Sequence, residues 1–415
     1  MNVVLSHISA IKASEISISG SKSESNRLLL LQAIFSSLSI ENLSDADDAI
    51  LMQSALQSKD SIIDIGHAGT AMRFLAAYFA FQENREVVLT GSERMKQRPI
   101  RVLVNALREL GASIAYLENE GFPPLRIIGV KPIKNSVSVA AEISSQYISA
   151  LLLIAPKLEN GLEITLEGSI TSKPYIDMTL ALLNEVAVKT SFKENKISIL
   201  PKSDILIPQT IIVESDWSSA SYLYSIVALS PIYTEIRLRS FKENSLQADR
   251  VLAEIYTAFG VNTKFNSDNS IALIKSKNPE IYRLNLDLKN SPDIAQTIAV
   301  TCFGLGMSCK LTGLHTLKIK ETDRLRALKN EIEKLGGKVS ITDNSLVLAS
   351  HCLNLKNQSP VAIATYQDHR MAMAFAPLAL KMTLQINQAE VVSKSYPKFW
   401  QDLETMGFSI EYHNK

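Results

Sequence analysis

Six times along the chain, a short run of small or polar residues gives way to an apolar segment of helix length. The copies open at Gly20 (GSKSESNRLLLLQAIF), Gly66 (GHAGTAMRFLAAYFAF), Glu142 (EISSQYISALLLIAP), Glu214 (ESDWSSASYLYSIVAL), Asn290 (NSPDIAQTIAVTCFGLG) and Tyr366 (YQDHRMAMAFAPLAL). After a shorter first interval the starts recur about every 75 residues, a long period for a repeat. Apolar residues occupy nearly every face of these segments, which predicts six helices buried centrally. A second, amphipathic helix is expected in each copy, for example over 98–110, 173–184, 246–259, 322–335 and 397–406. Most of these end at a glycine or small residue before a β-branched stretch, as in LGASI, FGVNT and LGGKVSI, the order of helix, C-cap and strand. Alternating runs such as 163–166 and 196–200 supply the strands. The expected fold class is α/β: six modules of roughly 75 residues, three to a domain. The break should fall near Glu214, after Pro208. A solenoid scaffold would have a shorter period and less reactive loops.

Composition narrows the class. With 415 residues, 46% hydrophobic and 20% charged, the chain is long enough for two cores and too apolar for disorder. A net charge of +1 gives no general field for a polyanion, so no nucleic-acid partner is expected and any anion site must be local. Cys302, Cys309 and Cys352 follow no metal-ligand or CxxC spacing and read as reduced, packed thiols of a cytoplasmic protein. Residues 1–12 carry no leader pattern, and no apolar run reaches the roughly 18 residues of a membrane span. HExxH, GxSxG and GxGxxG are all absent, which weighs against zinc hydrolysis, serine-triad chemistry and dinucleotide redox chemistry.

The candidate chemistry lies in the loops that open the helices. Lys22, Ser23 and Arg27 stand at the first helix start, where free N–H groups and the helix dipole favour an anion. Gly69 permits close approach in the second loop, and Arg94, Lys96 and Arg98 crowd cations before Pro99. Ser144, Ser145 and Gln146 open the third copy, and Ser172 to Tyr175 its partner helix. Asp293, then Lys320-Glu321-Thr322-Asp323-Arg324, Asp368-His369-Arg370 and Ser393-Lys394 follow in the second half. Each motif alone reads more simply as a capped, solvated helix end. Together they predict a cationic site for more than one anionic ligand, with Asp293, Glu321, Lys22 and Lys394 best suited to proton transfer.

Together the stretches SGSKSESNR, GHAGTAMR, LTGSERMKQRPI, SSQYISALL, TSKPYIDMTL, DWSSASY, PDIAQTIA, KIKETDRL, YQDHRMAMAF and SKSYP resemble the 5-enolpyruvylshikimate-3-phosphate synthase family. They run in order from residue 19 to residue 397. The resemblance implies an enolpyruvyl transferase-like fold of two domains, residues 1–18 with 215–415 and residues 19–214, with a cleft and a two-strand hinge and three βαββαβ-type units in each. It implies transfer of the carboxyvinyl group of phosphoenolpyruvate to the 5-hydroxyl of 3-phosphoshikimate, by a monomer without metal or organic cofactor. The implied catalytic residues are Asp293, Glu321 and Lys22. Lys22, Ser23, Arg27, Ser144, Ser145, Gln146, Ser172, Tyr175, Asp293 and Lys320 would hold 3-phosphoshikimate. Lys22, Gly69, Arg98, Gln146, Arg324, Arg370 and Lys394 would hold phosphoenolpyruvate.

Four positions depart from the family pattern. His67 stands where Asn is commonest, Phe74 where Pro often follows the arginine, Thr316 in place of an Asn, and Trp217 in place of a small residue. The sister transferase acting on UDP-N-acetylglucosamine is the alternative reading, but it commonly uses a first-half loop cysteine, and this chain has none before Cys302. An RNA 3′-terminal phosphate cyclase would need ATP and a nucleophilic histidine, whereas His369 sits in a DHR motif that resembles the transferases.

Overall fold

The computed structural model describes residues 1–142, 144–202, 208–350 and 360–413. The chain separates into two compact units, Gly20–Val213 and Met1–Ser19 with Glu214–Lys415, here the N-half and C-half units.

All six apolar segments form helices. In the N-half unit they are Lys22–Ile34, Gly69–Ala80 and Ser145–Ile154. In the C-half unit they are Trp217–Leu229, Ala295–Gly304 and His369–Phe375. Their burial follows from their composition: every residue of Ala295–Gly304 is buried, as is Leu28 to Leu31 of the first helix. Each such leucine contributes about 2 kcal/mol of transfer free energy, which sets these helices as the axis of each core. Pro377 cannot donate a backbone hydrogen bond, and the sixth helix continues past Phe375 only as the 3-10 segment Ala376–Leu380.

The amphipathic helices are Arg101–Glu109, Lys173–Glu185, Arg324–Lys334 and Phe399–Thr405. Asp47–Gln57 plays that part in the shorter first copy. Two differ from expectation. Helix start at residue 98 gives way to Arg101, because Arg98 precedes Pro99 and is driven to extended geometry (φ −92°, ψ 122°). The segment 246–259 is not one helix. It is a 3-10 turn at Ala248–Val251, one α turn at Leu252–Ile255 and another 3-10 turn at Tyr256–Phe259. Val251, Ile255 and Thr257 are poor helix formers, and the Thr257 hydroxyl donates to the Glu254 carbonyl.

Among the described residues, five four-stranded sheets repeat one pattern, a parallel pair extended by two antiparallel strands. The N-half unit holds Ile62–Asp64, Glu86–Thr90, Leu125–Ile128 and Ser113–Tyr116 in that spatial order, and Ser136–Ala140, Leu162–Glu167, Lys196–Ile199 and Thr190–Lys193. A two-stranded sheet, Leu38–Glu41 parallel to Gln209–Ile212, serves the short first copy. In the C-half unit, Ser14–Ile16 is the parallel partner of Glu235–Leu238. Asn2–Leu5 lies antiparallel between Leu384–Ile386 and Ile410–His413, so the first strand completes the last sheet. Gly20 is required where the chain passes Asn42: a Cβ there would stand 1.9 Å from the Asn42 carbonyl oxygen.

Among the described residues, Cys302 and Cys309 are buried and free of disulfide bonds. Cys352 lies outside the described residues. Among the described residues no helix is long and apolar enough to cross a membrane.

Candidate active site

In the N-half unit the polar loops lie against one another. Ser21 caps the first helix through Glu24 N, and Lys22, its first residue, pairs with Asp48 at 3.6 Å. Arg27 points inward. Its guanidinium donates to Thr179 Oγ1 (2.8 Å), the Ser23 carbonyl (2.7 Å), Ser149 Oγ (3.1 Å) and the Tyr175 carbonyl (3.1 Å). It also lies 5.5 Å from the Phe74 ring centroid, so Phe74 packs under the cation as a flat apolar wall. Burial lowers the Arg27 guanidinium to about 10, against the pull of Tyr175 and Glu24. Arg27 thereby braces Ser23 against Tyr175 from within the unit.

Ser144 caps the helix that starts at Ser145, accepting from Gln146 N at 3.3 Å. Thr171 N donates to the Ala141 carbonyl at 3.2 Å, which ties this loop to the one holding Ser172. Ser172 sits before the helix Lys173–Glu185 in left-handed geometry (φ 55°, ψ 45°) and makes no side-chain cap. Such a conformation costs a non-glycine residue about 1 kcal/mol and persists only where surroundings impose it. The Gln146 amide reaches Thr70 Oγ1 at 3.2 Å, next to Gly69. A Cβ on Gly69 would stand 2.3 Å from Arg98 Nη1, so the absent side chain is what lets the guanidinium lie on the helix start. His67 Nδ1 bonds Ser92 Oγ at 2.9 Å, on the loop that leads to Arg98.

In the C-half unit a buried guanidinium organises the acids. Arg324 is the first residue of its helix, which Asp323 caps through Arg326 N. Its Nε meets Asp368 Oδ2 at 2.7 Å, Nη1 meets Asp293 Oδ1 at 2.8 Å, and Nη2 meets Glu321 Oε2 at 2.8 Å. Asp293 also faces Lys320 (3.5 Å) and Arg370 (3.2 Å). Burial alone would push the Asp293 carboxyl up. Arg370, Lys320 and Arg324 outweigh it and hold the group far below the usual carboxylate range. Burial likewise opposes the charge on Arg324, but Asp368, Glu321 and Asp293 raise its pKa above the ordinary value. Asp293 and Glu321 keep 16% and 19% of their side-chain surface accessible, whereas Arg324 keeps 2% and Asp368 none. The cage therefore exposes its two outer carboxylates and buries their anchor.

Asp368 caps the helix His369–Phe375 through Arg370 N, and His369 beside it is buried. Tyr366 and Gln367, just before, both adopt left-handed backbone (φ 53° and 57°). Lys394 Nζ donates to the Gln367 carbonyl at 2.9 Å, which brings Lys394 to the same loop. Trp217 is wholly buried. Its Nε1 donates to Glu214 Oε1 at 2.7 Å, and its ring meets Phe241 edge-on at 5.0 Å, so the bulky residue is a core anchor. Thr316 places its hydroxyl in a buried spot with no hydrogen-bond partner among the described residues.

Within the N-half unit the structure thus gathers Ser23, Arg27 and Tyr175; Ser144, Ser145 and Ser172; and Gly69, Arg98 and Gln146. Within the C-half unit it gathers Asp293, Lys320, Glu321, Arg324 and Arg370, with Lys394 alongside. Asp48 and Thr70 join these groups through contacts that no sequence motif announces. Asp368, part of the Asp368-His369-Arg370 stretch, adds an ion pair to Arg324 that its N-cap position does not reveal.

The chain as a whole also matches known proteins. Residues 38–403 match the family model for EPSP synthase (3-phosphoshikimate 1-carboxyvinyltransferase). The 3-phosphoshikimate 1-carboxyvinyltransferase of Bacteroides fragilis is 46% identical over 414 residues, covering 99% of each chain. That of Haemophilus influenzae is 35% identical over 434 aligned positions, covering 97% of this chain and 98% of its own. Among solved structures, an EPSP synthase from Acinetobacter baumannii superposes with a TM-score of 0.79 at 20% identity over the full length of both chains. An enolpyruvyl transferase from Streptomyces tendae gives 0.75 at 12% identity, covering 100% of this chain and 99% of its own. These two likenesses speak to fold, and the two-domain enolpyruvyl transferase fold is the one found here. With the family model spanning most of the chain and a full-length relative at nearly half identity, the chain is a member of the EPSP synthase (3-phosphoshikimate 1-carboxyvinyltransferase) family of enzymes.

Proposed function

We propose that the carboxylate cage around Arg324 is the proton-transfer centre of a 3-phosphoshikimate 1-carboxyvinyltransferase. The chain transfers the carboxyvinyl group of phosphoenolpyruvate to the 5-hydroxyl of 3-phosphoshikimate and releases phosphate, a step of aromatic amino acid biosynthesis. The observation that carries the assignment is the pair of accessible carboxylates, Asp293 and Glu321, on one buried guanidinium with Lys320 and Arg370 facing them.

The chemistry needs an acid that later acts as base, and a second base. Glu321 first takes up a proton from solvent and gives it to the methylene carbon of phosphoenolpyruvate while the 5-hydroxyl oxygen bonds to C2, and Asp293 takes the hydroxyl proton. In the tetrahedral intermediate Glu321 recovers a proton from the methyl group, the double bond re-forms and the C2–O bond to phosphate breaks. Lys22 shares the proton traffic. Free Asp293 is a weak base because three cations hold it ionised. Substrate anions that draw those cations away raise its basicity, so substrate binding itself activates the base.

Arg98, Arg324, Arg370 and Lys394, with Gly69, Lys22 and Gln146, take phosphoenolpyruvate. Planar guanidinium forks suit its carboxylate and phosphate. Ser144, Ser145 and Ser172 take the phosphate of 3-phosphoshikimate. The helix starts there offer backbone N–H groups, and the strained Ser172 is what a ligand-shaped loop would retain. Lys22, Ser23, Arg27, Gln146, Tyr175, Asp293 and Lys320 complete that ligand's contacts, with Arg27 acting from its buried brace. The working form is a cytoplasmic monomer with no nucleic-acid or membrane partner, in keeping with the near-zero net charge and the reduced, buried thiols.

Phosphate release tests the reading: it is expected with phosphoenolpyruvate plus 3-phosphoshikimate and not with UDP-N-acetylglucosamine as acceptor. Release with the sugar nucleotide alone would move the chain to the sister activity. Glyphosate is expected to inhibit competitively with phosphoenolpyruvate. In Gly69→Ala the new Cβ displaces the Arg98 guanidinium, raising KM for phosphoenolpyruvate about tenfold, the loss of one charge-assisted contact, and weakening glyphosate inhibition. Unchanged values of both in Gly69→Ala would contradict the placement of Arg98.

A further inference from the structure

We propose that Asp249 is a positioning residue for phosphoenolpyruvate, holding the Arg370 guanidinium in place through the Ser218 hydroxyl. The inference rests on the assignment of Arg370 to that substrate. Asp249 lies on the 3-10 turn Ala248–Val251, in a stretch with no anion-site pattern, and is buried. Its Oδ2 accepts from Ser218 Oγ. Ser218 Oγ in turn accepts from Arg370 Nη2 at 3.4 Å, and the same Nη2 stands 3.2 Å from Asp293 Oδ2. The Ser291 hydroxyl donates to the Ala248 carbonyl at 3.1 Å, tying the Asp249 turn to the one that bears Asp293. Asp249 Oδ1 and Arg370 Nε are both buried with no hydrogen-bond partner among the described residues.

A serine hydroxyl has one proton to give, and arginine has only donors. With Asp249 ionised, Ser218 donates to the carboxylate and turns its lone pairs to Arg370. With Asp249 protonated, the carboxyl competes as a donor toward Ser218, and the hold on Arg370 slackens. The charged and titratable groups facing Asp249 are Asp293, Arg370 and Asp216, with Tyr222 beyond Arg370. Burial first, then the charge on Asp293, lifts the Asp249 carboxyl to about 7, so the change of state falls near neutrality. The folded value lies above that of an unfolded aspartate, about 3.9. The folded protein therefore binds the extra proton between those values, and stability declines as pH rises through that window.

The test compares wild type with Asp249→Asn and Ser218→Ala. At about pH 8 the Asp249→Asn variant is expected to raise KM for phosphoenolpyruvate about tenfold, with kcat and KM for 3-phosphoshikimate within about twofold. The variant-to-wild-type KM ratio should fall toward one near about pH 6, where wild-type Asp249 is itself protonated. The ratio cancels the ionisation of the substrate's own phosphate. Ser218→Ala should give a similar rise, and the double variant should be no worse than either single one. Asp249→Asn should also melt above wild type at about pH 8, with the gap closing toward about pH 4. A KM ratio flat with pH, a lower melting temperature, or equal losses for both substrates would overturn the proposal. An inactive wild type would sink the function reading and this inference together; an active wild type with a flat ratio sinks this inference alone.

Discussion

In Glu321→Gln, kcat is expected to drop by about 10³-fold or more, the upper part of the range for a general acid that must also serve as base. The amide keeps the size of the carboxyl and can still accept from Arg324 Nη2, which Asp368 continues to hold. The melting temperature should therefore change little and both KM values should stay within a few-fold. Asp293→Asn should also lose turnover, but with a different thermal signature. Its carboxyl is held below the ordinary range, so its ionic contribution to stability is present above about pH 4 and is lost as pH falls through the folded value. The Asn variant should melt below wild type at neutral pH, with the gap shrinking in acid. Steady-state kinetics and thermal melts of the two variants separate these outcomes. Near-normal kcat in Glu321→Gln would remove it from the proton path.

Arg324→Met should be the most destabilising single change at the site. Three carboxylates lose their common partner, and one of them, Asp368, is fully buried. Breaking a buried pair from one side costs about 3–5 kcal/mol. For a unit of this size that lowers the melting temperature by roughly 10 °C. Arg324→Lys should recover only part of the loss, because an ammonium cannot serve three directions with a planar fork. Melts of both variants at neutral pH check this; a methionine variant as stable as wild type would mean that the carboxylates find other partners or protonate without penalty.

The repeat was legible because it is written in composition. Helices buried on every side need apolar residues on nearly every face, and that is visible without a partner. Strand pairing was not legible to local pattern, since Asn2–Leu5 pairs with Leu384–Ile386 and Ile410–His413 across nearly the whole chain. The expected helix over 246–259 failed because its apolar spacing fits a 3-10 turn as well as an α turn, and Thr257 tightens the end. At the site, residue type showed where anions and protons could be handled, but not which way side chains point. Arg27 shows the gap: its sequence context reads as a ligand-facing cation, and nothing in that context announces the bonds it also makes to Thr179, Ser149 and two carbonyls. Asp368 stands in a legible motif, but its ion pair to Arg324 is not written there, and Asp249 belongs to no motif at all.

The central claim, that Glu321 passes a proton to and from the methylene carbon, is tested most directly by running the reaction in deuterium oxide. The product's vinyl group should then be examined by proton NMR. The account predicts deuterium in the vinyl methylene of the wild-type product, because a methyl group forms and then loses either isotope, and no labelled product from Glu321→Gln. Phosphate release with an unlabelled vinyl group would contradict it.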